Sequence, residues 1–268
     1  MKLNIVPART GIQWVKLGVQ TFFKQPLALA GLFFMYMVAV LVLSQLPVIG
    51  VLLGGMLVPA ATLGLMAATE EATKGRFPMP SVLLSAFRAG RQRVRAMLVL
   101  GVVYTVSSML VTMLAGVLAG NPAPAPTPPG GAETAAASID AGVVIALLLH
   151  VPLFVLFWHA PALVHWHGVS PAKSLFFSAV ACLRNLGAFL MYGLAWTGVF
   201  LAVALVLGTL GLMLGGDAVA RSVMMPVALL MAAMFSTSIY FTFRDSFVAT
   251  SETPELPPTN NLPGGDER

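Results

Sequence analysis

The sequence predicts an all-α, multi-pass membrane protein: six transmembrane helices in three hairpins, each hairpin preceded by a cytoplasmic interfacial amphipathic helix. Three observations carry that expectation. Only 9% of the 268 residues are charged while 58% are hydrophobic, against roughly 25% charged in a soluble domain. Several runs of about 20 residues hold no charge, and at ~1.5 Å per residue each matches the ~30 Å hydrocarbon core of a bilayer. The basic residues are also split very unevenly between the segments that join those runs.

Taken in order, the chain opens with a short amphipathic lead. Ile12, Val15, Val19 and Phe22 face away from Gln13, Lys16, Gln20 and Lys24 on a helix. Leu27–Leu46 is the first span; the break Pro47-Val48-Ile49-Gly50 turns the chain into the second, Val48–Thr69. Because the first apolar run exceeds the 7–15 residues of a signal-peptide core and no A-x-A-like site follows, it is expected to stay in the mature protein. A second lead, 80–95, carries polar residues at Ser81, Ser85, Arg88, Gln92 and Arg95, one stripe of a helix, with Leu84 and Phe87 set away from it. Ala96–Ala119 is the third span. The stretch 120–138, rich in Pro, Ala and Gly, has almost nothing to bury and is expected to be a disordered external loop.

Ala141–Val164 is the fourth span, and the third lead, Pro171–Arg184, places Phe176, Val180 and Leu183 along one side. Leu186–Leu214 and Ser222–Phe243 complete the set, with Arg221 in the short loop between them. Residues 1–250 form one membrane domain and 251–268 a disordered cytoplasmic tail. Pro59, Pro152, Pro161 and Pro226 all fall in the returning spans, where a missing N–H tends to kink a helix. All but Arg221 of the 15 Lys and Arg residues lie on one side, which puts both termini in the cytoplasm.

The phrases Pro161-Ala162-Leu163-Val164, Gly168-Val169-Ser170-Pro171-Ala172-Lys173-Ser174-Leu175 and Tyr240-Phe241-Thr242-Phe243-Arg244-Asp245-Ser246-Phe247 resemble those of uncharacterised six-span bacterial inner-membrane proteins. That group is itself similar to the membrane domain attached to some glycerophosphodiester phosphodiesterases. The resemblance implies a six-helix fold in the cell inner membrane. It brings no catalytic residues, and since 268 residues of this composition contain no phosphodiesterase domain, it does not imply that activity.

Chemistry-bearing residues are sparse. His150, His159, His165 and His167 cluster in or beside the fourth span, but at ~100° per residue His150 and His159 point to opposite faces. No acidic or thiol ligand joins them at metal spacing, so no metal and no cofactor is expected. Trp158, His159, His165, Trp166 and His167 read as a polar-aromatic belt at the interface. His150, nearer mid-membrane, needs a hydrogen-bond partner inside the bundle and is the leading functional candidate. Arg184, Arg244 and Asp245 sit at span ends as further candidates. Enzyme motifs are lacking: there is no P-loop, G-x-S-x-G or H-E-x-x-H. Nor do basic and aromatic residues interleave as nucleic-acid binding requires.

The expected function is therefore a non-enzymatic structural or regulatory role, engaging anionic lipid headgroups through the cytoplasmic basic residues Lys16, Lys24, Arg88, Arg91 and Arg95. A membrane-protein partner or a second copy of the chain is an alternative ligand for that face. A permease or lipid-handling transporter, with a cavity bounded by spans two, four and six, is the alternative function.

Overall fold

The computed structural model describes residues 2–47, 49–120 and 141–248, so the expected loop beyond Gly120 and the expected tail lie outside the described residues. Helix α1 (Thr10–Lys24) leads into α2 (Pro26–Ser44) and α3 (Ile49–Thr73). A 3-10 turn (Pro80–Leu84) and the short α4 (Ser85–Arg88) precede α5 (Arg91–Ala119). The fourth span is divided into α6 (Ala141–Phe157) and α7 (Ala160–His167), and α8 (Pro171–Arg184) leads into α9 (Leu186–Gly216) and α10 (Ala218–Ser246). Six of these segments, counting α6 and α7 as one, are long and apolar enough to cross a membrane. Two residues at each end close the fold as a strand pair, β1 (Lys2–Leu3) antiparallel to β2 (Phe247–Val248).

Proline and glycine mark the joints. Pro26 and Pro171 open α2 and α8 at positions whose N–H would have no helical partner. Helix α7 ends on Gly168 in the left-handed region, with Gly168 N–H donating to Val164 O (3.2 Å) and Val169 N–H to Leu163 O (3.4 Å). This closure satisfies the last carbonyls and turns the chain directly into α8. Between α9 and α10 a tight turn at Gly215–Gly216 suffices, with Gly216 at φ 71° and ψ −164°. Arg221 consequently belongs to the first turns of α10, not to a loop.

The three expected leads are built differently. Along α1 the buried side is Gly11, Trp14, Val15, Gly18 and Phe22, while Ile12 is exposed. That face lies in the groove between α9 and α10 and is covered by protein. The backbones approach closely there: a β-carbon at Gly11 would stand 2.1 Å from Ala188 O, and one at Gly18 would stand 2.3 Å from Ser238 Cβ. The segment 80–95 does not form one helix. Gly90, at φ 91°, breaks it, so Ser81, Ser85 and Arg88 precede the break while Arg91, Gln92 and Arg95 open α5. Helix α8 turns Ser174, Ser178, Ala181 and Cys182 inward and leaves Phe176 and Leu183 exposed.

Helices α3 and α5 run antiparallel in a register set by small residues. A β-carbon at Gly101 would stand 2.7 Å from Met56 O, and one at Gly55 2.6 Å from Thr105 Oγ1. At ~1.5 Å per residue, Arg91 falls level with about Met66, so α3 projects past the start of α5. Around that projection Met66, Ala162, Leu163, Ala181, Phe243 and Phe247 form a core that joins α3, α7, α8 and α10. The helices run through Pro59, Pro152 and Pro226; the chain is interrupted ahead of Pro161 instead.

Gly18→Ala is expected to lift α1 from its groove and cost about 1–3 kcal/mol, the usual range for overpacking. Thermal unfolding in detergent measures this, with Gly116→Ala as the control, because a β-carbon there meets nothing within 4 Å.

Candidate functional site

Pro161 has no N–H, and its ring would press on the Phe157 carbonyl in a continuous helix. The fourth span therefore opens at Trp158–His159. The freed groups are taken up by α8. His159 N–H donates to Ser178 Oγ (3.0 Å), and Ser178 Oγ–H donates to Val155 O (2.9 Å), the carbonyl that His159 would reach in an unbroken helix. One hydroxyl thus replaces a missing helical bond and ties α8 to the break. Cys182, one turn along α8, lies 3.8 Å from the same carbonyl and 3.9 Å from His159 Nδ1. Burial pushes its thiol up to about 12, so it is a neutral packing group and not a nucleophile at neutral pH.

The released His159 is wholly buried. Its ring lies among Phe189, Phe243 and Phe247 at centroid distances of 5.8, 6.0 and 5.4 Å. The other buried polar groups gather on successive turns of α10. Thr242 Oγ1–H donates to Ile239 O (2.7 Å), which leaves its oxygen to accept from Trp158 Nε1 (3.0 Å) and His159 Nε2 (3.3 Å). That arrangement assigns the proton to Nε2 of His159 and leaves Nδ1 an acceptor facing Cys182. Ser238 repeats the scheme one turn earlier. It donates to Phe235 O (2.6 Å) and accepts from Tyr192 Oη (2.6 Å) and Trp196 Nε1 (3.2 Å). At the end of α10, Asp245 accepts from Trp14 Nε1 (3.0 Å) and from Arg244 Nε (2.8 Å). The N-terminal strand is pinned to the same end, with Val6 N–H donating to Asn185 Oδ1 (2.9 Å) and Asn185 Nδ2 to Asn4 O (3.1 Å).

The expected site residues therefore separate into three groups. His150 stands apart: its Nδ1 meets Ala146 O of its own helix at 2.7 Å and its ring packs on Phe154, so no second helix supplies its partner. His159, expected in an interfacial belt, lies instead inside the protein, because the break ahead of Pro161 turns it toward α8 and α10. Asp245 and Arg244 are joined in the pinning of α1, and Arg244 also stands 4.9 Å from the Phe241 ring centre. Among the described residues no three His, Cys, Asp or Glu side chains come together as a metal-ligand set.

The third group is the basic end. Lys16, Lys24, Arg88, Arg91, Arg95 and Arg184 are all exposed, as is Arg93. The described acids at this end are already engaged: Glu70 with Lys74, Glu71 with Arg76 through both carboxylate oxygens, and Asp245 with Arg244. Among the described residues Arg88, Arg91, Arg93 and Arg95 have no acidic partner. Sequence reasoning passed over Trp14, Ser178 and Thr242, whose partners lie far along the chain. Only the polarity of Ser236-Thr237-Ser238 and the aromatic density around Trp158 hinted at them.

Thr242→Val should leave Trp158 Nε1 and His159 Nε2 without an acceptor and cost about 1–3 kcal/mol per orphaned group. Thr62→Val, whose hydroxyl only returns to Val58 O of its own helix (2.9 Å), should stay near neutral in the same unfolding measurement.

No protein-family model matches the chain, and no solved structure matches it. A probable inner membrane protein of Burkholderia thailandensis is 37% identical over 276 residues, an alignment that covers 97% of this chain and 100% of that protein. With the six apolar helices, this similarity over the full length identifies a multi-pass bacterial inner-membrane protein: the chain belongs to the same family as that Burkholderia protein.

Proposed function

We propose that this inner-membrane protein has no catalytic role and serves as a scaffold or regulator that gathers anionic phospholipids around its basic end. One observation carries the reading. Arg88, Arg91, Arg93 and Arg95 are exposed near the start of a transmembrane helix, while the described acids nearby are already paired with other cations. Four unneutralised guanidiniums at that level call for counter-ions from outside the protein, and phospholipid phosphates lie at that depth. The uneven distribution of Lys and Arg favours an orientation with this end and both termini in the cytoplasm.

In this reading α1, the segment Pro80–Arg88 and α8 form a collar in the cytoplasmic interface. Exposed Phe23, Phe87, Phe176 and Leu183 supply apolar contacts with lipid, and Lys16, Lys24, Arg88 and Arg184 supply charge. The filled core where α3, α7 and α10 meet supports a scaffold over a permease with a cavity between those helices.

A topology reporter fused after Ala132 is expected to read periplasmic; a cytoplasmic reading overturns the orientation. Lipids that co-purify with the protein in mild detergent should be enriched in anionic species over the bulk membrane. Replacing Arg88, Arg91, Arg93 and Arg95 together by Gln should remove that enrichment, and an unchanged lipid profile would refute the reading.

A further inference from the structure

Two concavities flank the segment Pro80–Arg88, and their chemistries are complementary halves of a lipid. On one side a cavity of about 440 Å³ is lined by Ser81, Ser85, Arg88, Arg93 and His165. The Oγ of Ser85 and the Nδ1 of His165 are buried without a hydrogen-bond partner. Orphaned buried polar atoms are costly, and Ser85 and His165 both line this cavity, beside two guanidiniums without an acidic partner among the described residues. The available groups are donors: a hydroxyl, an imidazole N–H in the tautomer that protonates Nδ1, and two arginine forks. Glu71 also lines this wall, but its carboxylate is engaged by Arg76. The cavity therefore favours an anion rich in acceptor oxygens, which is the description of a phosphate.

On the other side an apolar groove of about 370 Å³ runs between α2 and α3, lined by Met35, Tyr36, Ala39, Leu57, Leu83 and Phe87. Ser81, in the 3-10 turn, lines both spaces. The turn is held there by close backbone contact, since a β-carbon at Gly64 would stand 2.8 Å from Leu83 Cα. Its lining runs from Leu83 and Phe87 to Met35 and Ala39 of α2 and Leu57 of α3, and includes no arginine.

We propose that these two spaces form one binding site for an anionic phospholipid, its phosphate against Ser85, Arg88, Arg93 and His165 and one acyl chain in the groove beside Phe87. This rests on the lipid-gathering reading above and sharpens it, because a built site distinguishes Arg88 and Arg93 from their equally charged neighbours Arg91 and Arg95. Net positive charge at the cavity favours a phospholipid without a cationic headgroup.

The test is native mass spectrometry of the full chain released from nanodiscs containing phosphatidylglycerol and phosphatidylethanolamine, with inorganic phosphate added in a separate arm. The wild type should retain one phosphatidylglycerol. Arg88→Gln with Arg93→Gln should lower its retention by about tenfold or more, given two lost charge-assisted contacts. Arg91→Gln with Arg95→Gln, an equal change in charge, should leave it within about twofold. Ala39→Phe, which fills the groove and touches no cation, should also reduce retention. Equal loss from both arginine pairs would overturn the built site while leaving diffuse lipid gathering intact. A wild type that retains no anionic lipid would overturn both. An adduct of inorganic phosphate alone, indifferent to Ala39→Phe, would overturn the lipid as ligand.

Discussion

The basic end of this protein depends on a row of acceptors along the last turns of α10. Ser238, Thr242 and Asp245 receive, in turn, the side chains of α9, of the α6–α7 break and of α1. Each hydroxyl spends its own proton on a carbonyl of α10, which leaves its oxygen free for two donors. In a helix whose surroundings are apolar, such oxygens add directional constraints to those set by the close approach of small residues such as Gly11 and Gly18. The row therefore fixes rotation and depth for three elements together.

The break ahead of Pro161 belongs to the same construction. The opening ahead of Pro161 parts His159 N–H from Val155 O, and Ser178 of a neighbouring helix pairs with both. The consequence reaches further than repair. Opening the helix at Trp158–His159 presents both side chains to Thr242, and it lets α7 diverge so that Ala162 and Leu163 join Met66 and Phe243 in one core. The buried imidazole and the neighbouring thiol are thus architectural groups, held among aromatic rings away from solvent.

Polar chemistry is divided between an interior and a rim. Inside, the hydroxyls of Ser178, Ser238 and Thr242 pair with donors and acceptors of neighbouring helices and serve packing. At the rim, exposed arginines exceed the free acids, and two residues that line the cavity with Arg88 and Arg93 hold unmatched polar atoms. Ser246 Oγ is a buried hydroxyl without a partner too, so the two ends of the division differ chiefly in charge: only the rim carries guanidiniums without acidic partners among the described residues.

Spans, their number and the lopsided distribution of Lys and Arg were readable along the chain because they depend on local properties: length, apolarity and charge within each segment. The proline and glycine joints were partly readable for the same reason. Which face of each helix turns inward was not. In a bilayer the lipid-facing and protein-facing sides are both apolar, so periodicity picked Val19 on α1, where Trp14 and Gly18 are the buried residues, and Phe176 on α8, where Ser174 and Ser178 are. His150 and His159 looked alike as residues of one span; only the turn at Pro161 and the partners Ser178 and Thr242, distant in sequence, separate an in-helix bond from a buried hub. Asp245 and Trp14 are 231 positions apart, and Ser85, Arg93 and His165 come from three different elements. Local composition thus dictates that the helices exist and cross the membrane, whereas their pairing, rotation and shared cavities arise only when distant residues meet.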